Sequence, residues 1–325
     1  MLRLAFTLFW LALAGTAVAG TAPGSCGGRD LLAAMTPAAR AALVGNAPYP
    51  NGNFWRATRG ATSIVVAGTY HLNDPRFDPI VAQLKPYLDQ ADTLLLEAGP
   101  DEEKQLKDDI AAHPDRIVNA AGPTLPEALS AQEWARLSEA LRLRGMPPFM
   151  ASKFQPWYVA MLLDLPPCPV TSASANGLDA RLTTLAQARH IPIVALEPWD
   201  TTFHLFTGMS FKAQLGMLRM SLAGEASAAD LGTTLTNAYF AGQHRLIWEF
   251  GRQNALSAPG ADPAAFDQLE RTLLTDRTLS WMPGLLAVSE GHSVVVAVGA
   301  AHLGGADGLL NQLHLDGFAL HRLPF

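Results

Sequence analysis

The chain is poor in the residues and motifs that announce many common chemistries. Its 325 residues include only two cysteines, Cys26 and Cys168. They show neither a CxxC spacing nor a metal-finger spacing, so nothing points to cysteine catalysis or a thiolate metal site. There is no glycine-rich phosphate loop, no His-Glu-x-x-His and no Gly-x-Ser-x-Gly. Nucleotide enzymes, zincins and ordinary esterases are therefore not indicated. Charged residues make up only 16% of the chain and the formal charge is -6. With no basic run, nucleic acid is a poor candidate partner. No repeat of solenoid period is present, and past the N-terminal segment no apolar run is long enough to cross a bilayer.

The N-terminal segment itself reads as a signal peptide. Arg3 gives a positive start, Leu4 to Ala14 form a short apolar run, and Ala17-Val18-Ala19 offers the small residues of a cleavage site. No cysteine follows directly, which argues against a lipid anchor. The expected division is 1–19 signal peptide, 20–53 leader segment and 54–325 α/β domain, with the product periplasmic or secreted. In an oxidising compartment Cys26 and Cys168 can form a disulfide; the alternative is two free thiols.

Apolar runs and helical periodicity alternate along the rest. Phe54 to Ala57 and Thr62 to Ala67, around Arg59-Gly60, read as a hairpin. Asp74-Pro75 starts a helix whose Phe77, Ile80, Val81, Leu84 and Tyr87 share a face. Thr93 to Glu97, Ile191 to Leu196, Ser293 to Val298 and Phe318 to Leu323 read as further strands. Ser130 with Glu133 fits a capping box, Gly177-Leu178-Asp179 opens another helix, and residues 201–290 are mostly helical with a break near Ser257 to Gly260. Gly308 to Leu313 is a last helix. The order favours an α/β fold: a mainly parallel sheet with helical cover and a helical middle insertion. Ile64 to Leu72 echoes Val296 to Leu303, and Leu96-Glu97 echoes Leu196-Glu197. These echoes read either as two pseudo-repeated halves around one site or as chance recurrence of short apolar strings.

Two turns carry the chemistry. Gly68-x-x-His71 and Gly299-x-x-His302 each follow an apolar strand directly, where open α/β sheets place their ligands. Glu97 ends a third strand. If the three strands are parallel neighbours, two imidazoles and a carboxylate converge. That is a common donor set for a divalent ion, which makes a bound water more acidic. Such a site should bring its donors within about 3–5 Å of one another. The plainer reading makes each histidine a hydrogen-bonded turn residue and Glu97 a helix cap. A carboxylate at the end of an apolar strand is nevertheless costly unless satisfied. Glu197 is read as a helix-start residue, a general base or a further ligand. Asp179 is read as an N-terminal helix residue favoured by the dipole, and Trp157 as a core residue. His113, His190, His204, His244, His292, His314 and His321 show no ligand spacing and are read as surface or core residues.

From Phe54 to the C-terminus the chain resembles the TraB/GumN family, which is related to the Tiki metal-dependent proteases. The resemblance rests on Gly68-Thr69-Tyr70-His71, Leu96-Glu97, Pro156-Trp157, Gly177-Leu178-Asp179, Leu196-Glu197, Asp276-Arg277 and the run from Val298 through His302 to Gly304. It implies an α/β fold with paired halves. It also implies His71, Glu97 and His302 as metal or catalytic residues, with Mn, Co or Zn as the divalent metal ion. The family often shows Arg-Asn where this chain has Arg277-Thr278, which puts the contact made by that amide in doubt. Arg277 is read either as a clamp for an oxyanion or carboxylate or as a salt-bridge partner of Asp276 or another surface acid.

The resulting expectation is an exported metal-dependent hydrolase, peptidase-like, acting on a peptide or protein substrate. His71, Glu97 and His302 hold the ion or activate water, and Arg277 steadies negative charge. From a different class comes a non-catalytic envelope protein that binds a peptide or polysaccharide fragment. A metal or haem carrier is the third reading.

Overall fold

The structure, a computed structural model, describes residues 27–167, 176–257 and 262–324. The expected signal peptide and the Cys26–Cys168 pair lie outside these residues, as does most of the break near Ser257 to Gly260. The chain divides into two compact units.

The first unit comprises the described residues of Met1–Ala33, Glu103–Ser172 and Trp199–Leu235. It contains no strand among its described residues, apart from an isolated bridge between Val118 and Phe154. The helix Ala131–Leu143 begins as its sequence demands: Ser130 caps the Glu133 N–H, and the Glu133 carboxylate returns to the Ser130 N–H. The helix Pro156–Asp164 is buried along its whole length. Trp157 is a core residue, as expected, and stacks on Phe206 at 5.2 Å between centroids.

The second unit, Ala34–Glu102, Ala173–Pro198 and Thr236–Phe325, holds the sheet. The six strands among the described residues are β1 Phe54–Arg59, β2 Thr62–Thr69, β3 Thr93–Leu96, β4 Ile193–Ala195, β5 Ser293–Gly299 and β6 Ala319–Arg322. Their order is β4-β3-β5-β2-β1-β6. β1 and β2 form the hairpin, and β6 pairs antiparallel with β1. The other four strands are parallel, so the α/β assignment holds. The paired halves are not shown by this arrangement.

β2, β3 and β5 are almost entirely buried, which explains why they read as continuous apolar runs rather than alternating ones. On one face Ile64, Val66, Leu95, Val294, Val296 and Val298 pack against Trp281, Met282, Leu285, Leu309, Leu310 and Leu313. These come from the helices Asp276–Ser289 and Leu309–Leu315. The helices Phe77–Leu88 and Leu178–Ala188 contact β5 and β3 respectively. The register aligns Thr69 with Gly299, Ala297 with Leu96 and Leu96 with Ala195. All four parallel strands therefore end at one edge, and the polar groups lie one to three residues beyond each end. Among the described residues no helix is long and apolar enough to cross a membrane.

Candidate functional site

The three parallel neighbours β2, β5 and β3 bring His71, His302 and Glu97 to the same edge, and β4 adds Glu197 beside Glu97. The backbone N–H of Glu197 donates to the Glu97 carbonyl at 3.1 Å, extending the β3–β4 ladder by one bond. The glycines that precede the histidines supply room rather than unusual backbone angles. Neither Gly68 nor Gly299 has a positive φ. A Cβ on Gly68 would stand 2.5 Å from the Leu303 side chain. One on Gly299 would stand 3.1 Å from Glu97 Oε1 and 3.7 Å from both His71 Nε2 and the His302 ring. The missing side chain at Gly299 thus leaves the space on which the two imidazoles and the carboxylate converge.

Each imidazole is held from behind through its Nδ1. Thr278 Oγ1 lies 2.8 Å from His302 Nδ1. The threonine that replaces the family's usual asparagine therefore touches the histidine directly, and the tautomer decides which of the two gives the proton. Asp179 Oδ1 lies 3.0 Å from His71 Nδ1. That contact is close but not aligned as a straight hydrogen bond, and neither atom has another partner among the described residues. Two buried polar atoms this close, with no other partner, can satisfy only each other. Asp179 does lie in the first turn of its helix, as its sequence context suggested, and the contact with His71 is an addition to that reading.

Opposite the imidazoles sits a buried charge network. The Arg277 guanidinium donates through Nη2 to Glu97 Oε2 at 2.6 Å and to Glu197 Oε1 at 2.6 Å, and through Nε to Glu197 Oε2 at 2.8 Å. Its Nη1 donates to the Leu273 carbonyl at 3.2 Å and stands 3.4 Å from His302 Nε2. All five guanidinium N–H groups are engaged. The expectation of a surface ion pair is thereby corrected: Arg277 and both its glutamates are less than a tenth exposed, and Asp276 is not its partner. The helix Asp276–Ser289 follows a π-helical turn at Arg271–Thr275, a feature found at many functional sites. Arg277, Thr278 and Trp281 project from one side of it. The Trp281 indole N–H donates to Glu197 Oε2 at 3.1 Å, and its ring lies 4.5 Å from that of His302.

Charge follows from these contacts. Burial alone would raise Glu97, but the Arg277 cation, the two imidazoles and the Gly299 N–H (2.6 Å from Oε1) outweigh it and bring it to about 2. Burial pushes Glu197 up, against the pull of Arg277. Burial, with the nearby guanidinium, brings His302 down to about 3. For His71 burial also pulls down, yet the Asp179 and Glu97 carboxylates win and hold it above the ordinary imidazole value.

His302 Nε2 and Glu97 Oε1 are 3.9 Å apart, inside the separation expected of neighbouring ligands. Two imidazoles and a carboxylate fit a first-row divalent ion in donor type. The donors are not drawn together to ligand distances, however. Among the described residues no three His, Cys, Asp or Glu side chains form a group that could hold a metal as placed. Arg277 and the Gly299 N–H occupy the two oxygens of Glu97.

The sequence missed Thr278 and Trp281 as parts of the site. For Trp281 the spacing of four residues from Arg277 was the available signal, because a helix places i and i+4 side by side; adjacency to Arg277 gave no such signal for Thr278. It also missed Tyr239, whose buried hydroxyl donates to the Gly68 carbonyl at 2.8 Å and so steadies the turn before His71. No signal in the sequence marks that residue. No curated protein matches the chain. The model of the TraB/PrgY/gumN family matches residues 53–322, the whole stretch that carries the sheet and this cluster, and the chain belongs to that family.

Proposed function

We propose that the chain is a metal-dependent hydrolase, peptidase-like, acting in the periplasm or outside the cell. The observation that carries this reading is the convergence of His71, His302 and Glu97 on the space left by Gly299. His71 Nε2, His302 Nε2 and Glu97 Oε1 are the donors that would hold a divalent ion such as Mn, Co or Zn. Such an ion supplies Lewis-acid polarisation of a substrate carbonyl and a more acidic water.

The residues of the chain divide the remaining work. Asp179 and Thr278 take the Nδ1 atoms of the two imidazoles; Nε2 of His71 is left for the site, while Nε2 of His302 faces it with Arg277 Nη1 3.4 Å away. Arg277 keeps Glu97 ionised and holds Glu197 beside it. Its five N–H groups are committed, so it acts through fixed positive charge rather than by offering a new hydrogen bond to substrate. Glu197 has both oxygens held by Arg277 and the Trp281 indole, and so anchors the guanidinium beside Glu97.

Metal analysis of the purified protein, followed by a peptide-library assay with added Mn, Co or Zn, tests the reading. The expected result is near-stoichiometric metal and cleavage that disappears in His71→Ala and His302→Ala. A wild-type protein that binds none of the three ions and cleaves nothing would overturn it. Retained peptide binding in that case would identify a binding protein instead.

A further inference from the structure

We infer that the segment Gly177-Leu178-Asp179 is a clamp that positions His71, with Asp179 fixing the imidazole so that Nδ1 carries the proton and Nε2 is left as a lone pair. The inference deepens the hydrolase reading, on which its metal-affinity arm rests, but its first test stands apart from any metal.

Three contacts from consecutive residues converge on the Tyr70–His71 backbone and ring. Gly177 packs so closely that a Cβ there would stand 2.3 Å from the His71 carbonyl carbon and 2.4 Å from the Tyr70 oxygen. No side chain fits at that distance, and the glycine is needed for closeness, since its φ of -72° is open to any residue. The Leu178 N–H donates to the Tyr70 carbonyl at 3.1 Å. Asp179 Oδ1 then meets His71 Nδ1 at 3.0 Å, both atoms shut off from water and with no other partner among the described residues. A little further along the same helix, Arg181 donates to Asn73 Oδ1 at 2.8 Å, tying the helix to the residues that follow His71.

The chemistry of that pair fixes the tautomer. An ionised carboxylate only accepts hydrogen bonds, so the imidazole nitrogen facing it is the one that bears hydrogen. A carboxylate behind a histidine is the arrangement that orients imidazole ligands and raises their basicity. His302 has a hydroxyl in the equivalent place, which gives or accepts and enforces less. The two histidines are oriented by different means, His71 by a carboxylate on Nδ1 and His302 by a guanidinium donor 3.4 Å from Nε2. Asp179 touches neither substrate nor the reacting atoms. It is a positioning residue.

Long-range proton–nitrogen NMR of histidine-labelled, chelator-stripped protein reads this directly, with His71→Gln used to assign the signal. At a pH well above the imidazole range, wild type is expected to show His71 as a single tautomer protonated at Nδ1. Asp179→Ala should move the signal toward the mixture of a free imidazole, and Asp179→Glu should restore it in part. An unchanged His71 tautomer in Asp179→Ala, or a wild-type proton on Nε2, would overturn the inference. In a second arm, calorimetric titration with Zn and Co should show Asp179→Ala weakening affinity by roughly 10–100-fold, with Asp179→Glu recovering part of it. Equal affinities would count against the clamp. A wild type that takes up no metal overturns the hydrolase reading alone, because the tautomer still decides the role of Asp179.

Discussion

Replacing Arg277 by methionine keeps much of the side-chain volume and removes the charge. It strands Glu97 and Glu197, whose backbones are already hydrogen-bonded to each other and whose side chains are 7% and 6% exposed. Neither carboxylate can turn to water without breaking the strand ends. Breaking a buried ion pair from one side typically costs about 3–5 kcal/mol, because the surviving charge is left uncompensated. Here two carboxylates share the one cation, so the upper part of that range is expected. Part of the loss should be relieved by protonation, which makes Arg277→Met more stable relative to wild type at mildly acidic pH than at neutral pH. Urea unfolding followed by circular dichroism, at both pH values, measures this. The double variant Arg277→Met with Glu197→Gln removes one stranded charge and should recover about half of the loss, which keeps the test readable if the single variant folds poorly. A surface pair offers the control: Asp230→Asn weakens the pairing of Arg29, which is 86% exposed, and should lower stability far less. If Arg277→Met lost no more than that control, the account of the charge network would be wrong.

Gly299→Ala puts a methyl group 3.1 Å from Glu97 Oε1 and against both rings. Added Zn or Co should then bind at least 10-fold more weakly by calorimetry, with a stability loss of about 1–2 kcal/mol; unchanged affinity would remove the convergence point from the site. His244 is buried, with Nε2 3.0 Å from the Tyr49 carbonyl, and burial brings it down to about 4. Between that value and the ordinary 6.5 of an unfolded histidine, the unfolded chain holds a proton that the folded chain lacks. Stability therefore rises with pH across this window and levels off above it, by up to about 3 kcal/mol from this one group. His244→Gln should flatten the slope of unfolding free energy against pH by close to one proton. A slope identical to wild type would mean His244 does not stay neutral in the folded state.

The strands were legible because burial on both faces leaves a plain signature: Ile64 to Ala67, Leu94 to Leu96 and Val294 to Val298 are apolar without interruption. The capping box at Ser130 and the hairpin around Gly60 were legible for a similar reason, since each depends on neighbours a few residues apart. β4 was read too long, as Ile191 to Leu196 against the observed Ile193–Ala195, because Pro192 cannot donate to the ladder. Within the leader segment a helix runs over Pro37–Val44 behind the Thr36 cap. The convergence of His71, His302 and Glu97 could be inferred from strand ends once β2, β5 and β3 were taken as neighbours. What stayed hidden were partners joined only by tertiary packing. Nothing local marks Asp179 as the neighbour of a histidine more than a hundred residues earlier, or Glu197 as sharing an arginine with Glu97. Arg277 beside Asp276 even suggested the wrong acid, because a helix turns adjacent residues away from each other.

The position of β5 has a consequence for assembly. It is the last of the four parallel strands to be synthesised, yet it lies between β2 and β3. Until it arrives, the β1–β2 hairpin and the β3–β4 pair have no strand to join them, and His71 has no reason to approach Glu97. Closing the sheet by late insertion at its centre makes the longest chain loops the ones that must form for any of it to be stable, which slows folding. A chain released short of residue 293 would thus be left as two exposed sheet fragments with adhesive edges, rather than as a smaller version of the same protein.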